Sequence, residues 1–400
     1  MTDRRTIGPS DGGVATRTVI VSAKGAARWQ TGHPWIYRTD LYDEPRDAPG
    51  VVIVTDRRGR HLGQALYSPT SEIRLRLLTT GREPIDATWW ADRIAAAERR
   101  RAGIAATAHR AVHGEGDGLP SLVVDRYGPY VVAQLLSAGL EQVRADVLDG
   151  IDAAFAPEGI LLRNDTTVRR HEGLASEVVA ARGVVPDTVV VEEAGVRYLA
   201  APRTGQKTGA FLDQRENRIL VGEHTGAGRA LDLFTYHGSF ALHLARRAGE
   251  VVAVDSSADA LARGRENASL NELTNITWRE ANAFDLLRDL ARREEQFDTI
   301  VLDPPAFAKS KQSVPRALAG YKEINLRAMR LVAPGGVLFT CSCSYHVSRA
   351  IFLDMLGDAA RDAGRRLQLV AVRGAGRDHP ELLNVPETGY LKGALLRAVD

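Results

Sequence analysis

Cysteine is nearly missing from this chain of 400 residues: there are two, Cys341 and Cys343, one residue apart. Thiols that close cannot staple distant segments, which excludes a disulfide framework and fits a reducing cytoplasm. Lysine is almost as scarce, with six among the 52 basic residues, a bias that genome composition explains as readily as phosphate recognition. No apolar run approaches the roughly 18 residues of a membrane span. The opening MTDRRTIGPSDGGVATR has no apolar h-region to direct export. Charge of one sign is missing too: the net charge of +2 announces no nucleic-acid partner, although residues 1–80 hold 12 Lys/Arg against 8 Asp/Glu. What remains is an ordinary globular composition, 44% hydrophobic and 26% charged, in a chain long enough for two or three separate cores.

Residues 1–16 read as a flexible tail. Short β-rich segments punctuated by Gly and Pro follow and predict a small barrel over 17–82. From DATWWADRIAAAERRRAGI the period turns helical and then alternates strand, helix and strand, giving a central α/β unit over 83–190. Over 191–400 the alternation is strict: RALDLF, GSFALHLARRAG, EVVAVD, ADALARGRENASLN, ITWREAN, AFDLLRDLARREE, FDTIVLD, LAGYKEINLRAMRLVAP and GGVLFTCS. Such βαβα order predicts an α/β fold with a doubly wound parallel sheet. RLQLVAVRG and TGYLKGALLRAV, two strands joined by a loop, suit antiparallel pairing at one edge.

A doubly wound sheet binds its ligand at the carboxyl ends of its strands, where the strand order reverses. The first turn is DLFTYHGSF, and it lacks the GxGxxG of a dinucleotide site; only Gly238 is present, and Asp232 leads. An acid-led turn containing Phe234 and Tyr236 argues against a pyrophosphate and fits a cofactor with a cationic amino-acid end. Asp255, ending the second strand, is placed to accept from ribose hydroxyls. Asn282 is placed to address an adenine edge and Phe284 to cover its face. Singly, Asp232 and Asp255 read as strand-end or capping residues. Together at successive strand ends they point to S-adenosylmethionine, with NAD as the runner-up. TGQKTG, residues 204–209, is not a P-loop, because Lys207 follows Gln206 where that motif needs glycine.

The fourth strand ends in FDTIVLDPPAFAKSK. Pro304 and Pro305 donate no hydrogen bonds, so the chain after Asp303 leaves the ladder as a stiff platform, or simply as a strand stop. In methyltransferases that this stretch resembles, a DPP-type loop holds the flat acceptor, which implies that Phe307 stacks on a base and that Lys309 lies beside the substrate. The fifth strand carries the cysteines to the same end of the sheet. They share a face if the strand persists through 343, and a turn at Ser342 would separate them. A thiol there can attack C6 of a pyrimidine and so activate C5 for methylation. The plainer readings are a small buried hydrophobe, or half of a metal site; C-x-C with only His346 nearby lacks a second ligand pair, so no metal is expected.

These stretches, with GHPWIY, GQALYSPTSEIRLRLL, EGDGLPSLVVDRYG, LLRNDTTVRRHEGL, TGQKTGAFLDQREN and DHPELLNVPETGYLKG, resemble the large-subunit ribosomal RNA cytosine-C5 methyltransferases of the RlmI type over nearly the whole length. The resemblance implies an RNA-binding PUA-like first domain, a central α/β domain and a class I methyltransferase domain that binds S-adenosylmethionine. It also implies methylation of cytosine C5 in 23S ribosomal RNA, naked or in a precursor subunit, with Cys343 in the nucleophile position. Asp303 and Cys341 are the candidates for removing the C5 proton. Asn282 departs from the family, where an Asp facing adenine is expected. An amine-directed ribosomal RNA methyltransferase, and an RNA-binding assembly factor with a vestigial cofactor site, are the alternatives. The sequence leaves oligomeric state open, a homodimer included.

Overall fold

The computed structural model describes residues 17–45, 48–308 and 310–399. The expected tail over 1–16 and Lys309 lie outside them. Among the described residues, no helix is long and apolar enough to cross a membrane.

The first unit is a six-stranded sheet in the order 35–37, 73–79, 61–67, 50–56, 18–21, 41–43, with one parallel pair, 18–21 against 50–56. Strand 50–56 alternates buried and half-buried residues, which puts Val52 and Val54 into a small core with Val19, Val21, Ile36 and Leu75. The second unit is a five-stranded sheet over 108–183, covered by helices Ala87–Arg99 and Arg144–Phe155. Those helices pack closely because Gly150 faces Trp90; a Cβ there would come within 2.7 Å of the Trp90 Cβ. A hairpin, Val189–Glu193 with Val196–Ala200, leads into the third unit.

That third unit is a seven-stranded sheet: β1 (Arg229–Leu233), β2 (Glu250–Asp255), β3 (Ile276–Glu280), β4 (Phe297–Leu302), β5 (Val332–Ser342), β6 (Leu367–Arg373) and β7 (Lys392–Ala398). Its order is β3-β2-β1-β4-β5-β7-β6. The first five strands are parallel, and β7 pairs antiparallel with both β5 and β6, as the two terminal strands of the sequence suggest. The inner strands are nearly continuous apolar runs because helices cover both faces. Leu231, Leu233, Ile300, Leu302 and Leu338 face a core with Ile324, Met329 and Phe352. Ala230, Val301, Val337, Phe339 and Cys341 face the opposite core with Val221, Phe240 and Leu244. The order reverses between β1 and β4, which sets the crevice for a ligand beyond their carboxyl ends.

Candidate active site

The turn after β1 is wound through three left-handed residues, Phe234 (φ 64°), Tyr236 (φ 51°) and Gly238 (φ 77°). For the two aromatic residues this costs about 1–3 kcal/mol each, so the surroundings must hold it. They do: Thr235 N–H donates to Val254 O at 2.9 Å, and Tyr236 N–H donates to Asp255 Oδ2 at 2.9 Å. Gly238 has no substitute, since a Cβ would fall 2.3 Å from the Trp278 ring.

Beyond this turn lies a cavity of about 560 Å³, walled by Phe234, Tyr236, Asp255, the Asp303–Ala306 segment and Cys343. Asp255 accepts from Tyr236 N–H with one oxygen and from Ser257 N–H, at 3.0 Å, with the other; each oxygen keeps a lone pair. Asp232 does not line the cavity. It is fully buried, and its Oδ2 accepts from Thr235 Oγ1 at 2.5 Å and from Ala241 N–H at 2.9 Å, so it shapes the turn from behind. Burial, with the Asp303 and Asp255 charges adding to it, pushes its carboxyl up to about 7. Its other oxygen, Oδ1, is buried without a hydrogen-bond partner.

The residues expected to meet adenine also serve their own surroundings. Asn282 caps helix Ala283–Arg292, its Oδ1 taken by Phe284 N–H at 2.9 Å and Asp285 N–H at 3.3 Å, because a carboxamide before a helix start satisfies orphan amides. Phe284 packs at the edge of the apolar core, 6.0 Å from Phe307 between ring centroids. Phe307 in turn lies against Tyr321, with ring centroids 4.5 Å apart. None of the three lines the cavity.

The two cysteines are separated, because β5 ends at Ser342. Cys341 is buried: its thiol donates to Asp303 Oδ1 at 3.0 Å, and its sulfur accepts from Gln214 Nε2 at 3.2 Å. Burial and then the Asp303 charge push that thiol well above its ordinary range. Cys343 is half-buried and lines the cavity beside Asp303, Pro304 and Pro305. Burial and Asp303 raise its pKa as well, while Lys207 works against them. Asp303 is itself raised, by burial first, then by Asp213, against the hydrogen bond from Cys341. The Cys343 loop is tied to the loop after Asp303, since Ala308 N–H donates to Ser344 Oγ at 3.1 Å. Lys392, also buried, donates to Ser344 O at 2.6 Å, and burial lowers its ammonium to about 8.

Sequence reasoning missed the segment Gln206–Gln214 as part of the site. Lys207, itself left-handed at φ 54°, reaches Asp213 Oδ2 at 2.5 Å, and Tyr390 O–H donates to the same oxygen at 2.6 Å. Burial alone would raise Asp213, yet Lys207 and His379 hold it well below the usual carboxylate range. Its Oδ1 is buried without a partner. The available signal was Lys207 itself, a rare lysine between glycines in TGQKTG. Lys311, by contrast, is exposed and does not line the cavity.

The cavity's volume suits a small-molecule cofactor, and its mix of aromatic faces with Asp213, Asp255 and Asp303 suits one that carries a ribose and a cationic end. Residues 163–397 match the S-adenosylmethionine-dependent methyltransferase family, and residues 19–80 match a PUA-like domain. The fold has a counterpart in an S-adenosylmethionine-dependent methyltransferase structure from Streptococcus mutans, with TM-score 0.80 and 18% identity, covering 96% of this chain and 100% of that one. Fold and site thus define a class I methyltransferase whose cofactor is S-adenosylmethionine. Two curated relatives, both named ribosomal RNA large subunit methyltransferase I, narrow this. The Aeromonas salmonicida protein is 39% identical, over 92% of this chain and 95% of its own length. The Tolumonas auensis protein is 38% identical, over 92% and 96%. The chain belongs to the ribosomal RNA large subunit methyltransferase I family.

Proposed function

We propose that this protein methylates C5 of a cytosine in large-subunit ribosomal RNA, in the cytoplasm, through a covalent bond between Cys343 and C6. The observation that carries the reading is the contrast between the thiols: Cys343 lines the cavity next to the Asp303–Pro305 loop, whereas Cys341 lies beneath it. Carbon methylation requires a nucleophile in contact with the base, and an amine acceptor does not. The Cys343 sulfur adds to C6, which places electron density on C5. Bound S-adenosylmethionine would supply an electrophilic methyl group there, its methyl–sulfur bond breaking to leave S-adenosylhomocysteine. A base then takes the C5 proton, the sulfur–C6 bond breaks as the ring double bond returns, and the thiolate is free again. Asp303 is the proton acceptor best suited by position, since burial raises its basicity and Cys341 fixes its orientation. Pro304 and Pro305 form the rigid wall against which the base lies. The PUA-like unit supplies RNA affinity.

Asp255 is the ribose anchor in this reading, with Phe234 and Tyr236 shaping the cofactor's bed and Asp213 available to its cationic end. Removing one charged hydrogen-bonding partner costs about 1.5–3 kcal/mol. Calorimetry on Asp255→Ala is expected to show S-adenosylmethionine bound roughly tenfold more weakly or worse. Unchanged affinity removes Asp255 from the site.

The function as a whole is tested by mapping 5-methylcytosine in ribosomal RNA from cells with and without this gene. One large-subunit cytosine is expected to lose its methyl group without the gene. Loss of an N-methyl mark instead would establish the amine-directed alternative.

A further inference from the structure

Beside the loop that carries Cys343 sits a buried lysine that the reaction proposed above does not use. Lys392 is the first residue of β7 and stands opposite Ser342, the last residue of β5. Its Nζ donates to Ser344 O at 2.6 Å and to Tyr390 O at 2.8 Å. Lys392 thus meets the chain on both sides of Cys343. We infer that Lys392 is the positioning residue for Cys343: its ammonium holds the loop that presents the thiol and provides the positive charge beside it when the thiol ionises. The inference deepens the covalent reading of Cys343 and rests on it.

The tie joins three segments of the site. Tyr390 lines the cofactor cavity, and its hydroxyl is bonded to Asp213. Ser344 turns its Oγ to Ala308 N–H at 3.1 Å and to the Tyr321 hydroxyl at 2.9 Å. Its carbonyl and side chain therefore connect Lys392 to the loop that follows Asp303. Cys343 itself lies beyond the end of β5, so no ladder holds it. A nucleophile must be kept within reach of its target, and a tie of this kind does so.

Hydrogen bonding alone does not account for a lysine. Lys392 is 3% exposed, and the two groups that its Nζ bonds are neutral carbonyls. Burying an ammonium without a carboxylate partner is costly, and burial accordingly brings its pKa down to about 8. Among the charges that favour its ammonium form Cys343 is the foremost, ahead of Glu381 and Cys341, while Arg349 opposes them. A thiolate at Cys343 supplies the counter-charge that the carbonyls do not. From its own side Cys343 faces Asp303 and Asp213, which raise its pKa, and Lys207, which lowers it. Lys207 is already matched with Asp213 at 2.5 Å, so its charge is largely met. On ionisation the thiol proton passes to water and Lys392 keeps its own, which leaves a thiolate beside an ammonium.

The test reads the ionisation of Cys343 without RNA. Iodoacetamide alkylates the thiolate, and fragmentation of peptides from the full-length protein assigns the label to Cys343 or Cys341. An opposite charge close to an ionisable group moves its pKa by about 1–3 units. The pH midpoint of Cys343 labelling should therefore rise by about one unit or more in Lys392→Met. At neutral pH, labelling and adduct formation with 5-fluorocytosine RNA should both slow roughly fourfold or more, from about tenfold less thiolate partly offset by the stronger nucleophile that a higher pKa makes. Binding of S-adenosylmethionine reports that the variant folds; should Lys392→Met not fold, Lys392→Gln, equally uncharged, carries the same expectation. An unchanged or lowered midpoint in a folded variant would overturn the inference. So would labelling and adduct formation slowed equally at every pH, the mark of a purely structural role. A raised midpoint in the variant, with no RNA adduct even in the wild type, would uphold the pairing of Lys392 with Cys343 and defeat the covalent reaction instead.

Discussion

Cys343→Ala is expected to abolish methylation, with turnover falling by roughly a thousandfold or more, as when an enzyme loses its nucleophile. The reason lies in the chemistry of C5, which is a poor nucleophile until something has added to C6. RNA carrying 5-fluorocytosine at the target allows addition and methyl transfer but offers no C5 proton to remove. Wild-type protein should therefore stay attached to it and migrate as a heavier band on a denaturing gel, and Cys343→Ala should give no band. Burial and Asp303 hold the Cys343 thiol above its ordinary pKa, so the thiolate is the minor form at neutral pH. Adduct formation should consequently accelerate as pH rises through neutrality into the alkaline range. Cys341→Ala separates the roles. Its thiol donates to Asp303, so losing it should slow proton removal and let adduct accumulate on ordinary RNA. If Cys341→Ala gives neither adduct nor product while Cys343→Ala gives both, the nucleophile is Cys341. If both variants methylate normally, no covalent step exists.

How far the site was legible depended on whether a residue's neighbours are set by its own strand or by distant chain. The strand order and the antiparallel edge pair follow from period and punctuation, because apolar runs and βαβ handedness leave few arrangements. Asp255 and Cys343 sit at strand ends, and a strand end in a parallel sheet has one address. The capping role of Asn282 was not legible because the same carboxamide serves an adenine edge or a helix start, and the strand-end pattern alone does not distinguish them. The pairing of Phe307 with Tyr321, 14 residues later, was not legible because it is set by helix Val314–Leu331 packing back on the loop. Lys207 and Asp213 were missed because they precede the sheet altogether and meet the site through distant chain, as where the Tyr390 hydroxyl reaches Asp213 across 177 positions. No local pattern encodes such a meeting.

Glu193→Ala is expected to destabilise the protein by about 3–5 kcal/mol, the usual consequence of stripping one partner from a buried ion pair. Glu193 is buried at the end of the hairpin strand that precedes the sheet. Its two oxygens accept from Arg218 Nε at 2.5 Å and Nη2 at 2.6 Å, a bidentate pair with both members hidden from water. His243 Nε2 meets Oε1 at 3.0 Å, which ties the helix following Gly238 into the same cluster. Arg218 also donates to Phe211 O at 2.8 Å and lines the cofactor cavity, so a fault at Glu193 travels to the site. The alanine variant leaves the buried guanidinium without the carboxylate that two of its nitrogens bond. Burial would raise the Glu193 carboxyl, but Arg218 and His243 outweigh it and hold the pKa at about 2, against 4.5 for a free side chain. A depressed carboxyl stabilises the fold fully above the unfolded value, and the benefit drains away as pH falls from about 4.5 toward 2. Urea unfolding of wild type should accordingly weaken over that window, and Glu193→Gln should lose this share of the acid sensitivity while being less stable at neutral pH. Equal neutral-pH stability of wild type, Glu193→Ala and Glu193→Gln would mean the pair contributes nothing. A normal S-adenosylmethionine affinity in a destabilised Glu193→Ala would confine its role to folding, whereas a weakened one would show that Arg218 must be held in place for the cavity to keep its shape.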